Sequence, residues 1–369
     1  MRMTEAKPMS AFLKLVVAIL ILPSIVAPTD VIASPAFIDL AQASRPTAAA
    51  RPYYEGKTIQ LIVAFAPGGV TDNSARLVGR YLGKHIPGNP VMIVQNMPGA
   101  SGIIAANFLY GIAKRDGLTI AALGRANYLE QMVGKPEVRF DFRRFSWIGS
   151  FNNAPMMLAC RADTGLSSTD KIRAAAKPPR MAQGGSGSIS FIFSSLVEEA
   201  LNLKFQNVMG YKSGRDIDLA LERGEADCRA SSDITVLRTP WPEWLEKRYM
   251  TFIVQQGPKK SRVLPQDLPT VDELAPPTAK PVLNLMDVML AYTEFDRPFA
   301  APPGTATEHL HILREAFTKM LADPGFIADA KKLVDWDGSA MSGEQLQKRI
   351  ERAVTQPPEV VKRVKEILQ

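Results

Sequence analysis

Three glycine-rich segments hold the residues of this chain best suited to chemistry: Ala66-Pro-Gly-Gly69, Met97-Pro-Gly-Ala-Ser-Gly102 and Gly184-Gly-Ser-Gly-Ser188. The first and third stand directly before predicted helices. A helix N-terminus presents unpaired backbone N–H groups and a partial positive charge, so it can hold an anion. Glycine lets those amides approach a ligand with no side chain between, and Ser186 and Ser188 add hydroxyl donors. A helix end contributes ~0.3–1 kcal/mol to an anion, and up to ~2 when partly buried. Micromolar binding needs about 8 kcal/mol. Two helix ends fall short, so charge-assisted hydrogen bonds at ~1.5–3 kcal/mol each must supply the rest. Arg125 and Arg229 are the cationic candidates, although a lone arginine is more often a solvated surface residue. A carboxylate at Asp72 would repel an anion beside it, and the residue reads first as an N-cap of the helix that follows.

Other chemistries lack their residues. There is no phosphate-cradling G-x-x-x-x-G-K-[ST], and no G-x-G-x-x-G after a strand. The segment 184–188 fails the nucleophile-elbow pattern G-x-S-x-G because its last position is Ser188. His309 and His311 are two apart in a predicted helix and point to different faces, and His85 stands alone at a helix end. No catalytic triad, cofactor or metal site is expected. With a net charge of +7 and scattered basic residues, the chain shows no basic stripe or module for nucleic acid.

The elements that must position these loops follow from periodicity. Thr58 to Phe65 is a buried strand, Ala66-Pro-Gly-Gly69 breaks it, and a helix capped by Thr71 or Asp72 runs to about Lys84. Strands at 90–94 and 118–123 bracket a second helix, 103–113. Strand, glycine-rich loop, helix, strand predicts a parallel sheet, in which ligands sit outside the carboxyl ends of the strands. A second unit of the same grammar starts near Ala154, with a strand at 156–160, helices at 170–177, 189–201 and 216–223, and a strand at 205–211. Residues 239–280 carry many prolines and few regular signals, 288–292 is a strand candidate, and helices follow at 307–321 and 326–334.

Arg2, Lys7 and Lys14 precede an apolar run from Leu15 to Ala27, and small residues follow. Residues 1–33 therefore read as a secretory signal peptide, the run being short for a membrane span. Residues 34–53 read as a flexible leader. Cys160 and Cys228 are compatible with one bridge in an oxidising compartment, or with two buried free thiols in separate strands; the second reading is favoured.

Eight motifs follow one another in order: Ile62-Val-Ala-Phe-Ala-Pro-Gly-Gly-Val-Thr-Asp72, Ala75-Arg76, Val94-Gln-Asn-Met-Pro-Gly-Ala-Ser-Gly102, Asp116-Gly-Leu-Thr119, Gly184-Gly-Ser-Gly-Ser188, Gly224-Glu-Ala-Asp227, 264–274 and Ala301-Pro-Pro-Gly-Thr305. In this order they make the chain resemble the extracytoplasmic receptors of tripartite tricarboxylate transporters, the Bug-type receptors. The resemblance implies an α/β, two-lobed periplasmic binding protein fold (type II-like) that is not an enzyme. Residues 54–150 plus 295–369 would form lobe one, and 151–294 lobe two, joined by two crossing strands near 148–155 and 291–299. It also implies a periplasmic, monomeric receptor that passes a small organic acid to membrane permease subunits. A module presenting the ligand to a signalling receptor is the alternative, with an exported hydrolase a third reading. Implied ligand contacts are Phe65, Ala66, Pro67, Gly68, Gly69 and Asp72 in the first loop, and Gly99, Ala100 and Ser101 in the second. Gly184, Gly185, Ser186, Gly187 and Ser188 face them from lobe two. Gln95, the segment 124–127 and Cys228-Arg229 depart from the commoner family pattern, which leaves ligand identity open.

Overall fold

The computed structural model describes residues 51–185, 188–237, 240–257, 259–334 and 336–368. The expected signal peptide, nearly all of the leader, Ser186 and Gly187 lie outside the described residues. In chain order the first elements are β1 (Thr58–Val63), α1 (Val70–His85), β2 (Val91–Asn96), α2 (Ile103–Gly111), β3 (Thr119–Ala122), α3 (Asn127–Val133) and β4 (Ser146–Asn152). Next come β5 (Met156–Arg161), α4 (Thr169–Arg173), β6 (Arg180–Ala182), α5 (Ile189–Leu201), β7 (Gln206–Val208), α6 (Gly214–Glu222) and β8 (Cys228–Ser232). Then follow α7 (Trp241–Glu246), β9 (Met250–Gln255), α8 (Val271–Leu274), α9 (Lys280–Met289), β10 (Asp296–Ala301), α10 (Thr307–Leu321) and α11 (Pro324–Val334). The chain closes with β11 (Met341–Ser342), α12 (Gly343–Val354) and α13 (Pro358–Leu368).

Two mixed sheets result. The first has the order β11-β4-β10-β3-β1-β2, and the second β7-β6-β8-β5-β9. In the first, β1 pairs in parallel with β2 and β3, and β10 runs antiparallel to both β3 and β4. Strand β4 therefore runs with β1, β2 and β3, and leaves the sheet at their carboxyl ends. In the second sheet β6 pairs in parallel with β7 and β8, while β5 runs antiparallel to β8. The register sets Met156, the first residue of β5, against Ser232, the last of β8. The short link from β4 to β5 thus joins the carboxyl edge of one parallel set to that of the other. The loops after β1, β2 and β3 and those after β6, β7 and β8 leave toward the same crossover, which is where an α/β sheet places its ligand.

Apolar side chains fill the layers on both sides of each sheet. Leu77, Val78 and Leu82 of α1, Phe317 of α10 and Phe326 of α11 cover one face of the first sheet, over Leu61, Val63 and Phe299. The opposite face carries Ile62 and Ala121 and joins a core that continues through Tyr128, Phe295 and Met286 to Leu158, Phe193 and Leu196 in the second unit. Full burial of each such Leu or Phe is worth about 1.5–3 kcal/mol. The outer face of the second sheet packs Ala159, Ala182, Ile217 and Trp241 under α6 and α7.

Several expectations need correction. Residues 288–292 are not a strand: they finish α9 and enter a short 3-10 turn at Ala291–Thr293, and the strand begins at Asp296. A five-residue apolar run cannot by its period separate a buried helix end from a buried strand. The helix expected at 170–177 stops at Arg173, and the irregular 239–280 stretch contains α7, β9 and α8. Cys160 and Cys228 face each other across β5 and β8 and are bonded to one another, against the favoured free-thiol reading. Sequence spacing alone gave no view of that cross-strand register.

Candidate functional site

The loop after β1 is built around one carboxylate. Asp72 is the third residue of α1, and the N-cap is Gly69, which offers no side-chain cap; the expected capping by Thr71 or Asp72 does not occur. Asp72 instead reaches back. Its Oδ2 accepts from the Gly68 amide (2.8 Å) and from Arg76 Nε (2.9 Å), and its Oδ1 accepts from Asn96 Nδ2 (2.8 Å). Asn96 Nδ2 also donates to the Phe65 carbonyl (2.9 Å), and Arg76 Nη2 donates to Asn96 Oδ1 (2.9 Å). Asp72 is 2% exposed, yet residues 66–70 beside it are exposed. Burial pushes the Asp72 carboxyl up, but its bonds to Arg76, Gly68 and Asn96 outweigh this and hold it below its ordinary value. The charge of Asp72 is thereby spent inside the loop. The first amides of α1 keep no side-chain partner at the exposed rim, as the ends of uncapped helices do.

The loop after β2 is held in an unusual backbone. Gly99, Ala100, Ser101 and Gly102 all have positive φ (138°, 46°, 53° and 93°). For Ala100 and Ser101 this costs of order 1–3 kcal/mol each, which the surroundings must offset. Asn127, the first residue of α3, is fully buried, and its Nδ2 donates to the Ser101 carbonyl (3.0 Å). The fit is too close for side chains: a Cβ at Gly124 would stand 2.5 Å from Asn127 Oδ1, and one at Gly102 3.3 Å from the Ala64 Cβ. The loops after β1, β2 and β3 therefore pack directly on one another. Ala100 and Ser101 remain exposed at their rim.

Arg125 follows β3 and closes this rim. Its Nη1 donates to Asp296 Oδ1 (2.9 Å), and its guanidinium lies 5.1 Å from the Tyr292 ring centroid. Asp296 opens β10 directly opposite Asn152, the last residue of β4, so Arg125 bonds to the strands that cross between the two units. Asn152 is fully buried, and among the described residues both polar ends of its side chain lack a hydrogen-bond partner; the Ser150 hydroxyl, two residues back, also has none there.

In the second unit, Gln183 carries β6 into the glycine-rich loop. Its Nε2 donates to Ser194 Oγ (2.7 Å), while the Tyr211 amide donates to the Gln183 carbonyl and the Gly210 amide to the Gly184 carbonyl. Gly184 and Gly185 lie half-buried beside the loop after β7. Ser188 is the N-cap of α5, its Oγ accepting from the Phe191 amide (3.3 Å). Arg229 lies elsewhere, 4% exposed beneath α6, where its Nη1 bonds to Asp218 Oδ1 and to the Gly214 carbonyl (3.4 Å), with Trp241 5.8 Å away. Burial pushes its guanidinium down, and Asp218 pulls it back. Asp227 of the Gly224–Asp227 motif ties β6 to β8 by accepting from the Arg180 amide (2.8 Å) and guanidinium, a structural task.

Sequence reasoning missed Asn96, Asn127, Asp296 and Asn152. The available signal was an asparagine at a strand end or just after a glycine-rich loop. Among the described residues, no group of three or more His, Cys, Asp or Glu side chains is placed to hold a metal, and no helix is long and apolar enough to cross a membrane.

Two mixed α/β sheets joined by crossing strands, with loops converging from both, define a periplasmic binding protein fold. A model of the tripartite tricarboxylate transporter family receptor matches residues 75–365. The chain belongs to that family of solute-binding receptors, and is not an enzyme. Over 314 residues it is 25% identical to the "UPF0065 protein in gbd 5'region" of Cupriavidus necator, covering 83% of this chain and 87% of that one. A TctC solute binding protein from Polaromonas shares the fold with a TM-score of 0.66 and 22% identity, covering 85% of this chain and 99% of the other. The R. palustris protein Rpa4515, solved with adipate, superposes with a TM-score of 0.54 and 19% identity over 84% of this chain and 97% of its own.

Proposed function

We propose that this receptor captures a small organic acid, held by at least one carboxylate, between two lobes, and delivers it to the permease subunits of a tripartite tricarboxylate transporter. Lobe one comprises residues 54–150 and 295–369, and lobe two residues 151–294. Residues 1–33 export the chain to the periplasm, residues 34–53 form a leader, and the receptor acts as a monomer. One observation carries the reading: the uncapped N-terminus of α1 opens at the carboxyl edge of lobe one, toward the crossover shared with lobe two. A carboxylate there meets the amides of residues 69–71, the exposed backbone of 99–101 and the Arg125 guanidinium, with Gly184, Gly185 and Ser188 closing from the other side. Asp72 shapes this loop and does not repel the anion, because Arg76 and two further donors neutralise it. Arg229, buried against Asp218, supports lobe two from within and does not reach the ligand. That a relative of the same fold was solved with adipate agrees with a carboxylate ligand.

Calorimetric titration with mono-, di- and tricarboxylates tests the reading. Micromolar binding of at least one acid is expected, and binding confined to sugars or cations would overturn it.

A further inference from the structure

A cavity lies at the crossing strands, away from the loops of the candidate site. It has a volume of about 530 Å³, within the range of small-molecule sites. Its walls come from Asn153 and from Gln256, Gly257 and 259–262 after β9, and from Asp337, 339–341 and α12. In the first sheet these elements stand at the β11–β4 edge, and in the second at the β5–β9 edge. The strands that carry the candidate site, β1, β2, β3 and β6, stand toward the other edges of the two sheets, and none of the described residues in the loops that follow them lines this cavity. Asn153, the first residue after β4, lines the cavity, and Asn152 does not.

The lining carries six basic and four acidic side chains. The acids are already engaged. Asp287 and Glu294 accept from Arg349 Nη2 (2.9 and 2.8 Å), and Asp287 also from Arg352 (2.9 Å). Asp233 accepts from the Ser261 hydroxyl, and Asp337 from the Ser339 amide (2.8 Å). The positive charge is not used up. Arg349 is 8% exposed, and its Nε and Nη1 meet no acceptor among the described residues. Lys259 and Lys348 are exposed and, among the described residues, pair with no carboxylate. Among the described residues, Arg262 has only a long bond to the Gly338 carbonyl (3.4 Å).

We infer that this cavity is a second anion site, taking a small di- or trianion of carboxylate or phosphate chemistry between Lys259 and Arg262 on one wall and Lys348 on the other. Its two walls belong to different sheets, so an anion seated there links them at the crossover.

Calorimetry on the full chain with citrate and, separately, inorganic phosphate provides the test, because the two arms distinguish a carboxylate from a phosphate ligand. The Lys259→Gln/Lys348→Gln variant removes two exposed charges and should melt as the wild type does. Its affinity for the anion that binds should fall by about tenfold or more, the loss expected for charge-assisted contacts. Lys114→Gln, far along the chain and also exposed, should leave it unchanged. Equal affinity in the double variant would place the anion elsewhere and overturn the proposal. So would the absence of binding by either anion up to about 10 mM.

Discussion

The rims of the two lobes use the same parts and finish them differently. In lobe one, α1 starts at an uncapped glycine and Arg125 reaches Asp296 with 37% of its side chain still exposed. In lobe two, α5 starts at Ser188, which caps it, and Arg229 is sealed against Asp218 with 5% exposed. A capped end has already satisfied one orphan amide, and a sealed arginine has already lost its water. The start of α1 and Arg125 thus stay open at the surface, whereas the start of α5 and Arg229 are committed to the fold around them. The difference teaches that an arginine beside a glycine-rich loop is defined by its partner and its exposure, not by its position in a motif.

The largest effect expected from breaking this contrast is on stability. Arg229→Ala should cost about 3–5 kcal/mol in denaturant unfolding, because Asp218 would remain as an unpaired buried charge. The double change Arg229→Met/Asp218→Leu should recover most of that loss. A single variant as stable as wild type would remove the sealed-pair reading. Arg125→Ala should behave in the opposite way, with little change in melting and a loss of ~1.5–3 kcal/mol in carboxylate affinity by calorimetry.

Asp72→Asn sharpens the comparison further, at about 1–3 kcal/mol of stability for weakened charge-assisted bonds to Arg76 and Gly68. The Asp72 carboxyl is held below its ordinary value, so its stabilisation is fully present above the unfolded-state value near 3.8 and disappears as pH falls through the lower folded value. Acid titration of stability should therefore be shallower in Asp72→Asn than in wild type over that window. The smallest effect belongs to Ser188→Ala, about 1 kcal/mol for the lost cap.

The fold class was legible because strand, glycine-rich loop and helix recur twice in the order that builds parallel sheets. The loops at 66–69 and 99–102 were legible for the same reason: glycines that must adopt positive φ leave a mark in sequence. What was hidden depended on long-range pairing. Asp296 becomes Arg125's partner only because β10 returns beside β3, across 171 positions. Arg229 was read as a ligand donor because local sequence does not reveal that Asp218, on a neighbouring helix, turns inward to meet it. Cys160 and Cys228 likewise meet through the register of β5 on β8.

Amide shifts of nitrogen-labelled protein, titrated with adipate or whichever member of a di- and tricarboxylate panel binds, test the central claim most directly. The amides of Gly69, Val70, Thr71 and of 99–102 should move together with the saturating curve, while those around Arg229 and Asp218 stay near their unliganded positions. A saturable carboxylate that leaves the start of α1 unmoved would contradict the account.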